Sequence, residues 1–279
     1  HTPAHAILSG LVGSEMCIRD RGKATYPDGT SYQGMFKNGE RHGLGKLFMQ
    51  DGSSYEGGFK AGKIDGQGIA IYKNGDRYEG NFKNGKREGP FTFWYENGIK
   101  EKEGHYKQGN FSAKWTYWNE DGKKYLEENF TDGKKDGLFT LYDDGRKTRE
   151  GSYQLGKKDG LFTEWYDNGQ KKQEGSFNNS SQTGTWTYWK DNGHKYLQES
   201  YADGKKDGLF IEWYENGQKK REQNYECGRV IGKWTSWYEN GNKKSVSNYQ
   251  DGGLPGMSKA IADGKFIEWY ENCLLYTSD

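Results

Sequence analysis

The sequence predicts an all-β fold: an elongated, twisted antiparallel β-meander of tandem β-hairpin repeats, left open rather than closed. Three observations carry this. Asp-Gly or Asn-Gly recurs with glycines at 29, 52, 75, 98, 122, 145, 169, 193, 217 and 241, a period of 23 or 24 residues. The segments between are short and rich in aromatic and β-branched residues, which suit a pleated strand. Composition is the third: 31% hydrophobic residues and a mean hydropathy of −1.18 leave too little for an ordinary core, yet 16% aromatics and 42 glycines are unlike disorder. A fixed period of this kind reads as a repeat array whose core is local and one-dimensional.

One unit shows the logic. Asp203 to Lys220 reads DGKKDGLFIEWYENGQKK, and Leu155 to Lys172 nearly repeats it. Leu209 to Glu215 is the first strand. Asn216-Gly217 is expected to make a two-residue type I′ turn, because both residues tolerate positive φ. The return strand runs through Lys219, Arg221 and Gln223 to Tyr225, and a wider glycine-bearing loop leads on. With strands about 4.8 Å apart, ten such hairpins would make a ribbon on the order of 100 Å long.

The first units have their own wording. Tyr32-Gln33-Gly34, Tyr55-Glu56-Gly57 and Tyr78-Glu79-Gly80 open them, Phe36, Phe59 and Phe82 follow, and Gly52, Gly75 and Gly98 close the hairpins. Each tyrosine ring is expected to pack over a glycine that leaves room for it. His42-Gly43-Leu44-Gly45 and Asp65-Gly66-Gln67-Gly68 start the return strands. This wording resembles the MORN repeat (membrane occupation and recognition nexus). It departs in carrying Phe in the Trp place, and Asp65 and Glu88 in the His place. From Phe91 to Asn248 the units resemble the divergent second type of MORN repeat, with aromatic pairs at Trp165-Tyr166, Tyr188-Trp189, Trp213-Tyr214 and Trp237-Tyr238 before Gly169, Gly193, Gly217 and Gly241. Gly145 closes a shorter unit. Most of the paired rings are expected to serve packing; stacking on sugars is the competing use, but the period and the Lys-Glu rhythm do not fit sugar-binding repeats.

The whole of 22–272 is expected to be a single array, interrupted by an eight-residue insertion near 253–262. Leu11 to Arg21 (LVGSEMCIRDR) and Cys273 to Asp279 (CLLYTSD) resemble translated sequencing-library adapter, so 1–21 and 273–279 are expected to be foreign. That leaves Cys227 as the one thiol of the array, too few for disulfides or a thiolate metal site. Raw sheet edges would offer a route to a homodimer.

Enzymatic chemistry is not expected. Catalysis needs unlike residues converging once, whereas a repeat delivers like residues in rows. No phosphate loop, nucleophile elbow, HExxH or dinucleotide fingerprint occurs, and Gly253 to Lys259 lacks the GK[ST] ending. No cofactor or metal is expected. His42 reads as a repeat residue, while His105 and His194 are isolated. With 41 basic and 40 acidic residues, no global pull on nucleic acid is expected.

Lysine rows are the candidate contacts for an anionic lipid or a protein partner. One follows the turns: Lys123, Lys124, Lys147, Lys171, Lys172, Lys195, Lys219, Lys220, Lys243 and Lys244. A second occupies the opposite loops: Lys134, Lys135, Lys157, Lys158, Lys205 and Lys206. Near a charged membrane each lysine is worth about 1 kcal/mol. Acidic neighbours such as Asp136, Asp159, Glu215 and Glu239 offer the other reading, cross-strand ion pairing on a solvated face. Taken together, the residues predict a non-enzymatic scaffold that binds protein partners. The resemblance further implies membrane tethering through anionic phospholipid at the inner face of a membrane in an otherwise cytoplasmic protein, or an antitoxin-like role in a bacterial toxin–antitoxin system.

Overall fold

The computed structural model describes residues 7–9, 20–250, 261–262, 267–272 and 275–276, which are strands and turns with no helix among them. Most of the two adapter-like segments and of the 253–262 insertion, with the Gly253–Lys259 stretch, lies outside the described residues. The chain divides into two compact units, residues 1–135 and 136–279. In each, strands pair antiparallel with their sequence neighbours, as Ser31–Lys37 with Glu40–Phe48 and Lys205–Trp213 with Lys219–Glu226. Among the described residues no strand pairing closes a unit on itself, so each is an open meander of hairpins, the predicted fold class.

The turns are assigned the other way round from the expectation. Asn216-Gly217 is not a type I′ pair: Gly217 has φ +82°, but Asn216 is not in the positive region. Gly217 N donates to Tyr214 O (3.0 Å) and Tyr214 N to Gln218 O (2.9 Å), a turn widened by a glycine bulge. The Asn216 side chain explains the choice, since its Oδ1 accepts the Gln218 N–H at 2.9 Å. Asp28, Asp51, Asn97, Asn168, Asn192 and Asn240 accept from the backbone two residues on in the same way. The two-residue turns lie at the opposite edge. Asn38-Gly39, Ala61-Gly62, Asn84-Gly85, Asp203-Gly204 and Cys227-Gly228 have positive φ at both positions. Asp144-Gly145 joins that class, because its unit is one residue shorter and Asp143 pairs directly with Arg146.

A carboxylate from the preceding hairpin ties each of several two-residue turns. Asn84 N donates to Asp65 (2.9 Å), Gln108 N to Glu88 (2.6 Å) and Cys227 N to Asp207 (3.0 Å). This gives the acidic departures at 65 and 88 a physical reason. At the other edge, Tyr95, Tyr166 and Tyr214 each donate a hydroxyl to the carbonyl of the tryptophan 23 residues on, at 2.9 Å. Tyr238 reaches Trp269, 31 residues on, so the ladder resumes after an excess of eight.

The packing changes character along the chain. In the first hairpins Tyr32, Tyr55 and Tyr78 are fully buried. The Tyr32 ring lies over Gly34 of its own strand and Gly45 of the next, where a methyl group would overlap it. Phe36 and Phe59 meet that ring edge-on at 5.1 and 4.9 Å, a favoured geometry. Phe91 then takes the place of the second glycine, paired with Gly80. From there the ring comes from the strand that follows the two-residue turn, which is the return strand of the hairpins as observed: Trp115 leans on Gly104, and Trp186 on Gly175.

Burial pushes the Tyr32 and Tyr55 phenols up to about 12, at Tyr32 against the opposing charge of Arg41. Near pH 10, where free tyrosines ionise, the unfolded chain loses phenol protons that the folded chain still holds. The unfolded state then binds fewer protons, and stability falls as pH rises. The denaturation midpoint is expected to drop between about pH 10 and 12. Replacing Tyr32 and Tyr55 with Phe should flatten that drop; an unchanged slope would assign it to the other buried tyrosines, such as Tyr78 and Tyr106.

The return strands carry a bulge at Gly43, Gly66, Gly89, Gly137 and Gly208, all with positive φ. Ala113 occupies the same place at φ +57°, which costs a residue with a Cβ. Ala113→Gly is therefore expected to stabilise unit 1 by about 1 kcal/mol, read as a higher urea midpoint at unchanged slope. A lower midpoint would refute the strain.

Candidate functional site: the lysine rows and the ladder face

Strand alternation gives the sheet two unlike faces. Phe162, Gly175, Gln173 and Glu164 share one, the ring face. Leu161, Thr163, Trp165, Lys171 and Glu174 share the other, and cross-strand register puts Thr163 opposite Glu174 and Trp165 opposite Lys171. The same columns recur in the neighbouring repeats, as Thr187 with Glu174 and Trp189 with Lys195. We call this second surface the ladder face.

The lysine row at the wide turns therefore splits. Lys171 lies on the ladder face, 2.5 Å from Glu174 and 5.8 Å from the Trp189 ring centroid. Lys172, its neighbour, lies on the ring face, 3.1 Å from Glu164 and 5.9 Å from the Tyr166 ring. Lys219 and Lys220 divide in the same way between Glu222 and Glu212. Lys123-Lys124 is displaced by one position, so that Lys124 stands in the register of Lys171 and bridges Glu127 at 3.0 Å. Lys147 bridges Glu150 at 2.5 Å, and Lys195 sits 5.4 Å from the Trp213 ring. Half-exposed pairs of this kind contribute little stability each, typically below about 1 kcal/mol.

At the opposite edge Lys135 and Lys206 turn inward onto the buried carboxylates Glu128 and Glu199. Lys158 lies over the Phe162 and Phe177 rings at 5.4 and 5.1 Å. Lys134, Lys157, Lys205, Lys243 and Lys244 have no ion-pair partner among the described residues. Thus the structure brings half of the candidate lysines, eight of sixteen, to carboxylates of their own sheet.

Two glutamates show what those pairs do. Burial pulls the Glu164 carboxyl upward, but hydrogen bonds from Lys172 and Gln173 and the charge of Arg149 outweigh it and hold it below its ordinary value. Glu212 is held low likewise, by Lys220 and Arg221 against burial. Both stay ionised as parts of the fold.

Sequence reasoning did not find the leucine column. Leu138 is 62% exposed and Leu161 59%, with Leu209 also exposed, at one ladder-face position of unit 2 that Thr185 and Lys233 take in the other hairpins. The signal was available: each follows the bulge glycine in DGLF. Among the described residues no group of His, Cys, Asp and Glu could hold a metal ion, and the Cys227 thiol is exposed. No helix is long and apolar enough to cross a membrane.

Antiparallel hairpins, two turn classes that alternate between edges and rings seated on glycines define a tandem β-hairpin repeat protein. The MORN repeat family model matches residues 32–54 and 55–77, and the MORN repeat variant matches 87–108, 158–179, 206–226 and 231–251. This is a MORN-repeat protein, carrying both repeat types, and the repeat is of a non-catalytic kind. No curated protein matches the chain significantly.

Proposed function

We propose that this chain is a non-enzymatic interaction scaffold that holds a protein partner on its ladder face. The exposed leucines carry the reading: Leu138, Leu161 and Leu209 stand out of a face on which Lys147, Lys171 and Lys219 are paired with Glu150, Glu174 and Glu222. Exposed apolar side chains beside paired charges suit a protein surface better than an anionic one. A photoreactive residue in place of Leu161, used in the native host, is expected to capture one defined protein, while the same residue in place of the turn residue Leu155 captures none. Equal capture at both positions, or adducts only with lipid, would sink the reading.

The lipid-tethering reading draws on the uncommitted Lys134, Lys157 and Lys205, which sit beside two-residue turns. Flotation with phosphatidylserine and phosphoinositide vesicles separates the two. The scaffold reading expects binding that disappears at physiological salt, since few free lysines contribute.

A further inference from the structure

One ring-face position of unit 2 changes its residue from hairpin to hairpin: Leu141, Glu164, Tyr188, Glu212 and Ser236 occupy it in turn. In two hairpins a glutamate on the return strand is the acceptor for a fixed set of donors. Glu164 receives Lys172 at 3.1 Å and Gln173 at 2.6 Å, with Arg149 of the preceding strand at 3.5 Å. Glu212 receives Lys220 at 2.7 Å and Arg221 at 2.7 and 3.0 Å. In the next hairpin the acceptor is missing. Register places Ser236 where Glu164 and Glu212 stand, opposite Ser245 on the following strand and Arg221 on the preceding one.

The donors remain. Lys244 corresponds to Lys172 and Lys220, lies 5.6 Å from the Tyr238 ring centroid, and has no ion-pair partner among the described residues. Ser236 Oγ and Ser245 Oγ are 2.6 Å apart, and these short side chains line an opening of about 440 Å³. Its wall is aromatic: Trp234 and Tyr249 face it with ring centroids 5.5 Å apart. Glu212 on one side is already committed to Lys220 and Arg221. Glu268 on the other pairs in register with Ser245 but does not line the opening.

We infer that this opening binds a small carboxylate with a flat apolar body, whose carboxyl group takes the place that Glu164 and Glu212 fill in their hairpins. The carboxylate would accept from Lys244 and from the Ser236 and Ser245 hydroxyls, with Arg221 as the nearby second cation. The body would lie against Trp234 and Tyr249. This is a place in a periodic molecule where unlike residues converge once, and it is independent of the ladder face.

Benzoate is the probe, with acetate and inorganic phosphate beside it, titrated by calorimetry into the full chain. Benzoate is expected to bind saturably to the wild type, and acetate more weakly because it lacks the body. Ser236→Glu copies the preceding hairpin, so it should fold, raise the melting temperature and weaken benzoate at least tenfold. Lys244→Met should weaken it without raising the melting temperature. Absent binding to the wild type, phosphate binding as tightly as benzoate, or undiminished binding to a folded Ser236→Glu would each overturn the proposal.

Discussion

Gly175→Ala is expected to destabilise unit 2 by about 3 kcal/mol or more, at the upper end of what overpacking a core costs. A methyl group at Gly175 would overlap Cδ2 and Cε2 of Trp186 and stand 2.5 Å from its Cγ. The indole cannot yield easily. It is 2% exposed, its Nε1 donates to Ser176 O at 3.2 Å, and Phe177 and Phe162 meet it at 5.1 and 6.0 Å. Chemical denaturation should show a lower midpoint at unchanged slope. Pairing the substitution with Trp186→Leu tests the cause, because a smaller side chain frees the space. The double variant should recover part of the loss, giving a clear coupling between the two sites. Additive losses would mean that the glycine is needed for its backbone and not for the ring above it. Gly217→Ala is the control: nothing lies within 4 Å of its missing Cβ, and only its positive φ resists the change.

Gly175 and Gly217 sit in different copies of the repeat and different physics selects them, and that difference sets how far the sequence could be read. The period, the hairpins and the ring-over-glycine packing are legible because each depends on neighbours in the chain. Turn type was not, because Asn-Gly serves at both edges. At Asn38-Gly39 both residues have positive φ, whereas Asn216 is held out of that region by its own side chain and the hydrogen bond to Gln218. Faces were misjudged for a related reason. Reading Lys171-Lys172 as one row overlooks that consecutive strand residues point to opposite sides, with the register shift between Glu164 and Trp165 adding to the offset. Tyr188-Trp189 illustrates the same hazard. Trp189 shares the register of Trp165, so Tyr188 stands in the place of Glu164, and the two aromatic pairs only look equivalent. The absent acceptor at Ser236 could have been found by aligning the units residue by residue.

The glycine column contains a second lesson, and its test should show the next largest effect. Where Trp115 and Trp186 lean back on Gly104 and Gly175, the strand that follows carries Glu128 and Glu199 in the glycine place. Each is nearly buried, at 6% exposure. Leaning the indole one way opens a space on its other side, and the glutamate side chain fills it between Trp186 and Phe210. A buried carboxylate is costly unless it is paired and hydrogen-bonded. Glu199 meets both conditions: Lys206 Nζ lies 2.5 Å from Oε1, and the Tyr201 hydroxyl donates to Oε2 at 2.6 Å. Burial, with that carboxylate beside it, also pushes the Tyr201 phenol upward. Glu199→Ala would leave a cavity beside the indole and strand the hydroxyl, while Lys206, partly exposed, can still turn to water. The expected loss is about 2 kcal/mol, below that for breaking a fully buried pair. Glu199→Gln keeps the volume and an acceptor and should recover most of it. Glu199→Gly with an unchanged Trp186 should do no better than alanine, because the indole already leans on Gly175 and cannot cover both sites. If glycine restored stability at 199, the alternation of glycine and glutamate around each tryptophan would owe nothing to the direction in which the ring leans.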